Sequence, residues 1–192
     1  MSAPLIIITG PSAAGKTSVA EKLLKKKSLN LKRLITCTTR PKRKGEKNHK
    51  DYHFLTEDVF KKAIENKEML EWSKVYGHYY GSRKTDLKKA LQGKQPVLMI
   101  VDVQGVKKLR NKIPNCCIIY IDVPKRSIIK RIKKRAFDSE DAKHRIKAYK
   151  KEQEAKKKVN NIVVNREGEL KQAVKDAALI IKFGIRNQEN CK

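Results

Sequence analysis

The residues with the clearest chemical meaning are Gly10, Pro11, Ser12, Ala13, Ala14, Gly15, Lys16 and Thr17, which match G-x-x-x-x-G-K-[ST]. In this spacing the glycines let backbone N–H groups turn toward an anion, and a helix that follows adds its N-terminal dipole. Such a loop surrounds a β-phosphate, with Lys16 bridging the β- and γ-phosphates and the Thr17 hydroxyl ligating Mg²⁺. A second candidate is Asp102, which ends the apolar run Val97 to Val101. Its carboxylate is assigned to Mg²⁺, through water because that ion keeps part of its hydration shell; the alternative is an N-cap for the segment from Gln104, and one carboxylate can do both. The stretch Arg40 to Lys50 is so basic and turn-rich that it reads as a solvated loop inviting an anion.

These groups need elements to hold them. Leu5 to Thr9 is a short β-branched run ending at Gly10-Pro11, which predicts a buried strand and a tight turn. The stripe Val19, Leu23, Leu24 predicts a helix that stops near Ser28 to Asn30. Leu34 to Thr38 and Tyr52 to Leu55 read as strands, and Thr56 caps a helix to about Asn66. Met69 to Tyr80 is β-rich and broken at Gly77, so residues 34–82 form an insertion with β character. The βα alternation resumes with helix 84–92, strand Val97 to Val101, helix 104–112 and strand Cys116 to Val123. Helices over 125–135 and 139–158, strand Ile162 to Val164 and a helix over 168–182 complete the chain. Apolar strands separated by helices predict a parallel sheet covered on both faces.

Composition narrows the class. At 192 residues the chain suits one domain with a real core. No apolar run approaches a membrane span and Met1 to Thr9 lacks the marks of a secretory signal, so a cytoplasmic address is the expectation. Cys37, Cys116, Cys117 and Cys191 show neither zinc spacing nor a disulfide framework and read as small apolar residues. The net charge of +27 favours polyanionic partners. Its bland reading, a solvated lysine-rich surface, is preferred over nucleic-acid binding.

The insertion carries Thr36-Cys37-Thr38-Thr39-Arg40-Pro41-Lys42-Arg43-Lys44-Gly45-Glu46, then Asp51-Tyr52-His53-Phe54, Glu71-Trp72 and Tyr79-Tyr80-Gly81-Ser82. With the phosphate loop, Asp102-Val103-Gln104-Gly105 and Val163-Val164-Asn165, this order of motifs resembles guanylate kinase from about Leu5 to beyond Asn165. The resemblance implies a P-loop three-layer α/β fold with a mostly parallel central sheet. It implies one domain with a core of about 1–33, 83–125 and 159–192, a β-rich GMP-binding insertion over 34–82 and a helical lid over 126–158. It further implies phosphorylation of GMP by ATP with Mg²⁺, in a monomer or weak homo-oligomer.

By that resemblance Arg40, Arg43, Tyr52 and Tyr80 hold the GMP phosphate with Thr36 nearby, and Glu71 and Ser82 read the guanine. The chemistry agrees: arginine forks suit a dianion, and a carboxylate accepts from both N1–H and the 2-amino group, which adenine lacks on that edge. The lid arginines Arg131, Arg135 and Arg145 reach the ATP phosphates, and Asn165 lies near adenine. Read without the family, Arg40 and Arg43 are cations in a basic loop, Tyr79-Tyr80 is strand packing, the lid arginines are helix surface and Asn165 is a turn residue.

Three positions depart from the pattern. Ala13 replaces a common glycine, which the general motif allows. Ile100 stands where the family has an acid, and Arg166 where an acid often follows the asparagine; the interval between Arg135 and Arg145 is also one residue short. The rival readings are a related kinase with another phosphate-ester acceptor, kept alive by Ile100, and a silent binding module, opposed by intact Lys16, Thr17 and Asp102.

Overall fold

The computed structural model describes residues 2–113, 116–135 and 139–190, without the side chains of 135, 139, 141, 151 and 187–190. Strand β1 (Leu5–Thr9) lies at the middle of a five-stranded sheet. Its neighbours are β7 (Val97–Ile100) and β8 (Cys116–Asp122), flanked by β2 (Lys32–Arg33) and β9 (Asn161–Val164), and all four pairings are parallel. Period-two alternation divides β1 between two cores. Ile6 and Ile8 join Leu98, Ile119 and Ile121 beneath α1 (Lys16–Leu24), α5 (Lys125–Arg135) and α7 (Leu170–Asn190). Leu5 and Ile7 join Val97 and Met99 beneath α3 (Lys84–Leu91) and α4 (Val103–Arg110). A strand buried on both faces cannot alternate polar with apolar, which is why β1 reads as an unbroken apolar run.

A second sheet runs in the order β4 (His53–Phe54), β3 (Cys37–Thr38), β6 (His78–Arg83), β5 (Met69–Val75). Its small core gathers Cys37, Phe60, Ala63 and Met69, with Phe60 and Ala63 supplied by α2 (Glu57–Glu65). The Thr56 hydroxyl accepts from Val59 N at 3.3 Å, so the predicted cap of α2 is in place. Of the strand predicted over Leu34 to Thr38 only Cys37–Thr38 forms, as β3 on the small sheet, and β2 on the large sheet ends just before the predicted range. Leu34 still donates its N–H to Leu98 O, and the chain then leaves for the other sheet. Periodicity cannot see that change of partner, because each piece is only two residues long, Lys32–Arg33 and Cys37–Thr38.

Helix α6 covers Ser139–Glu154, followed by a 3₁₀ turn at Ala155–Lys158, and α7 runs eight residues past the predicted end. Cys37, Cys116 and Cys117 are free thiols within strands, as predicted; Cys191 lies outside the described residues. Burial pushes the thiols of Cys37 and Cys117 up to about 11, so both stay protonated and inert. No described helix is long and apolar enough to cross a membrane.

Candidate active site

Because the sheet is parallel, β1, β7, β8 and β9 all end at one edge, and each hands its next residues to a crevice there. From β1 comes the Gly10–Thr17 loop. Gly10 has φ 137°, and a Cβ on it would meet Ile121 O at 2.3 Å; Gly15 has φ 89°, and a Cβ there would meet Asn165 Nδ2 at 2.4 Å. Both glycines are therefore demanded twice, by backbone conformation and by space. Ala13 sits at φ 62°, so the position where the motif permits any residue is left-handed in this chain. An L-residue bears about 1–2 kcal/mol there, partly offset because glycine loses more chain entropy on folding. Ala13→Gly is expected to raise unfolding stability by about 1 kcal/mol, measured by urea denaturation.

Lys16 Nζ donates to Gly10 O at 2.7 Å and Pro11 O at 2.8 Å, and α1 starts at Lys16 with its first amides beneath the loop. Thr17 is exposed. Two arginines of α5 and α6 touch the loop or the segment beside it: Arg131 donates to Ala14 O at 3.4 Å and Asn165 O at 3.1 Å, and Arg145 to Ser12 Oγ at 2.8 Å. The Arg135 side chain lies outside the described residues. Asn165 is 4% exposed, donates through Nδ2 to Ala14 O at 2.7 Å, and leaves its buried Oδ1 without a hydrogen-bond partner. It lines an open cleft of about 480 Å³ with Ala13, Gly15, Ser18, Arg131 and Arg166.

Asp102 is the N-cap of α4, its Oδ1 accepting from Gln104 N at 2.7 Å and Gly105 N at 3.0 Å. Its Oδ2 accepts from Ser73 Oγ, a residue of β5 that sequence reasoning missed. Among the described residues no group of three or more His, Cys, Asp or Glu could hold a metal ion. Ile100 is half-buried and packs onto the core rather than presenting a polar group.

The second sheet supplies the other half. Register pairs Glu71 of β5 with Ser82 of β6, and Ser82 Oγ donates to Glu71 Oε1 at 2.7 Å. Glu71 is 4% exposed and its Oε2 has no partner; a Cβ on Gly105 would come within 2.5 Å of that oxygen. Gly105 thus keeps open the space an incoming donor needs, a role visible only in three dimensions. Burial pushes the Glu71 carboxyl up to about 7, against the lowering effect of the Ser82 bond.

Arg40 is 8% exposed and forms a two-pronged pair with Glu46, each bond 2.9 Å, while Glu46 also accepts from Arg43 N at 2.7 Å. The guanidinium lies 5.6 Å from the centroid of the Tyr52 ring, and that ring meets Tyr80 edge-on at 6.4 Å. Arg40, Tyr52 and Tyr80 thus converge, Thr36 is buried beside β3, and Arg43 lies exposed on the loop. Glu46 stood within the recognised run of residues without a role; its spacing six residues after Arg40 does not by itself disclose a pair.

Known proteins of one family resemble this chain in sequence and fold. A family model described as guanylate kinase matches residues 2–182. A guanylate kinase of Fusobacterium nucleatum is 34% identical over 184 residues, covering 95% of this chain and 97% of that protein. Those of Thermotoga maritima and Caldanaerobacter subterraneus are 39% and 42% identical over 73% and 71% of this chain, covering 68% and 66% of their own lengths. The crystal structure of guanylate kinase from Anaplasma phagocytophilum superposes with a TM-score of 0.76 over 94% of this chain and 85% of that one; at 23% identity this speaks for the fold. A phosphate loop, a second sheet with a buried carboxylate and a match across nearly the whole chain converge, and the chain belongs to the guanylate kinase family.

Proposed function

We propose that this protein transfers the γ-phosphoryl group of ATP to GMP, yielding ADP and GDP. The observation that carries the reading is the buried Glu71, bonded to Ser82 and left with an open acceptor beside Gly105. A buried lone acceptor costs stability unless a ligand supplies a donor, and guanine carries two donors on one edge. On guanine binding Ser82 would turn its single hydroxyl proton from Glu71 Oε1 to guanine O6, freeing that oxygen for the second guanine donor, and Arg40, Arg43, Tyr52, Tyr80 and Thr36 would hold the phosphate of GMP. The division into a core, a GMP-binding insertion over 34–82 and a lid over 126–158 belongs to the same proposal.

At the donor side, the Gly10–Thr17 loop and Lys16 would hold the β- and γ-phosphates, with Arg131, Arg135 and Arg145 neutralising charge from above. The unpartnered Oδ1 of Asn165 suits the amino group of adenine. Mg²⁺ enters with ATP as part of the substrate, with the Thr17 hydroxyl as its protein ligand and Asp102 behind water. That fits a donor set of one exposed hydroxyl and one carboxylate already occupied as a helix cap.

A phosphate oxygen of GMP, ionised at neutral pH, attacks the γ-phosphorus; the new P–O bond forms as the bond to the β,γ-bridging oxygen breaks, and that electron pair leaves on ADP. No side-chain base is required, so catalysis reduces to alignment and charge neutralisation. Glu46 aligns Arg40 in this scheme. Glu46→Gln keeps the shape but gives one acceptor for two N–H groups, and it is expected to raise KM for GMP about ten-fold with KM for ATP unchanged.

The deciding experiment is ADP release with Mg²⁺-ATP and GMP, dGMP, AMP, UMP, CMP or no acceptor. Turnover dependent on GMP is the expected result, and a preference for AMP or no acceptor dependence in folded protein would overturn the reading.

A further inference from the structure

Tyr76 stands at the tip of the β5–β6 hairpin with φ 50°, followed by Gly77 at φ 80°. Two successive positive φ values are the conformation that Asn-Gly fills without strain, and a bulky side chain at the first position is uncommon there. What the tyrosine gains lies outside its own hairpin. Its ring carries the Arg145 guanidinium 4.3 Å from the centroid, and its hydroxyl donates to Glu152 Oε1 at 3.3 Å. Ser12 N donates to Glu152 Oε2 at 3.4 Å, and Arg145 Nη1 donates to Ser12 Oγ at 2.8 Å. Three parts of the molecule that are remote in sequence close one ring of contacts: the second sheet through Tyr76, the lid helix α6 through Arg145 and Glu152, and the phosphate loop through Ser12.

Resting on the reading above, we propose that Tyr76 is a positioning residue that makes the seating of Arg145 on the phosphate loop depend on the placement of the acceptor-binding hairpin. A guanidinium on a long side chain loses its fixed direction when the flat face beneath it is removed, and the gain from such a face grows as water is excluded. Arg145 then neutralises the donor phosphates well only when the hairpin has come in over the loop. The arrangement couples the two substrate sites through a contact made by neither substrate, and it disfavours transfer to water while the acceptor half is away. Backbone strain at Tyr76 is the second mark of this role, since strained residues persist where the surroundings hold them for a purpose.

Two variants separate positioning from folding. Tyr76→Asn suits the left-handed turn but removes the ring, and Tyr76→Phe keeps the ring and removes only the hydroxyl. Tyr76→Asn is expected to keep or raise the melting temperature while kcat for GMP phosphorylation falls about ten-fold. Tyr76→Phe is expected to retain most of kcat. In an Arg145→Ala background Tyr76→Asn is expected to cost nothing further, because the group it positions is gone. Unchanged kcat in Tyr76→Asn, or an equal loss with and without Arg145, would overturn the proposal even though the wild-type enzyme works as a GMP kinase. If wild-type protein fails to phosphorylate GMP, the functional reading falls separately. The contact is then judged by melting of the same four proteins: non-additive shifts support it and additive shifts overturn it.

Discussion

Lys16→Ala is expected to lower kcat/KM for GMP phosphorylation by about 10³-fold or more, with the fold retained. The magnitude follows from removing a fixed positive charge where negative charge redistributes during transfer. Retention of the fold follows from the local geometry. Lys16 braces the carbonyls of Gly10 and Pro11, but the loop conformation is also held by Ala14 N to Pro11 O at 3.2 Å and by the positive φ of Gly10 and Gly15. Steady-state kinetics with a melting curve on the same sample checks both halves, and full turnover by the variant would remove the phosphate loop from the mechanism.

Glu71→Gln is expected to reduce the preference for GMP over AMP by about 10²-fold or more. A carboxylate accepts both guanine donors, whereas an amide presents one acceptor and one donor, leaving a buried pair of donors facing each other. An unchanged ratio of kcat/KM values for the two acceptors would disqualify Glu71 as the base reader. The pH dependence gives an independent signature. With its carboxyl at about 7, Glu71 in the free protein carries a proton in mild acid, and guanine requires that proton to leave. Guanosine affinity should therefore weaken by about ten-fold per pH unit below 7 and level off above it. Guanosine rather than GMP removes the titration of the phosphate, and the slope should vanish in Glu71→Gln. The sign for stability is opposite. Because the folded value lies above the ordinary 4.5, the contribution of this group is fully present below 4.5 and is lost as pH rises through about 7. The melting-temperature increase caused by guanosine should accordingly grow between pH 6 and 8.

Much of this candidate site is legible in the sequence. The strand–loop–helix around Gly10 to Thr17 is local: an apolar run, two glycines at fixed spacing and an amphipathic stripe all lie within 20 residues, so the pattern and its structure coincide. Cap chemistry was equally readable at Thr56, and at Asp102 the alternative of an N-cap is the one whose hydrogen bonds are formed. The break between β2 and β3 was not legible, because hydropathy records burial and not which sheet does the burying.

The sequence by itself determined the order of elements, the phosphate loop and the residue types available for an acceptor, because these rest on spacings of a few residues and on backbone preferences. Tertiary structure alone decided which side chains meet. Ser73 reaches Asp102 across 29 positions, Glu152 and Ser12 meet across 140, and Tyr76 lies under Arg145. Gly105 leaves room at Glu71 only because α4 packs beside β5. Such partnerships depend on how two sheets and their helices settle against one another, and that packing is a property of the whole chain with no signature in any short stretch of it.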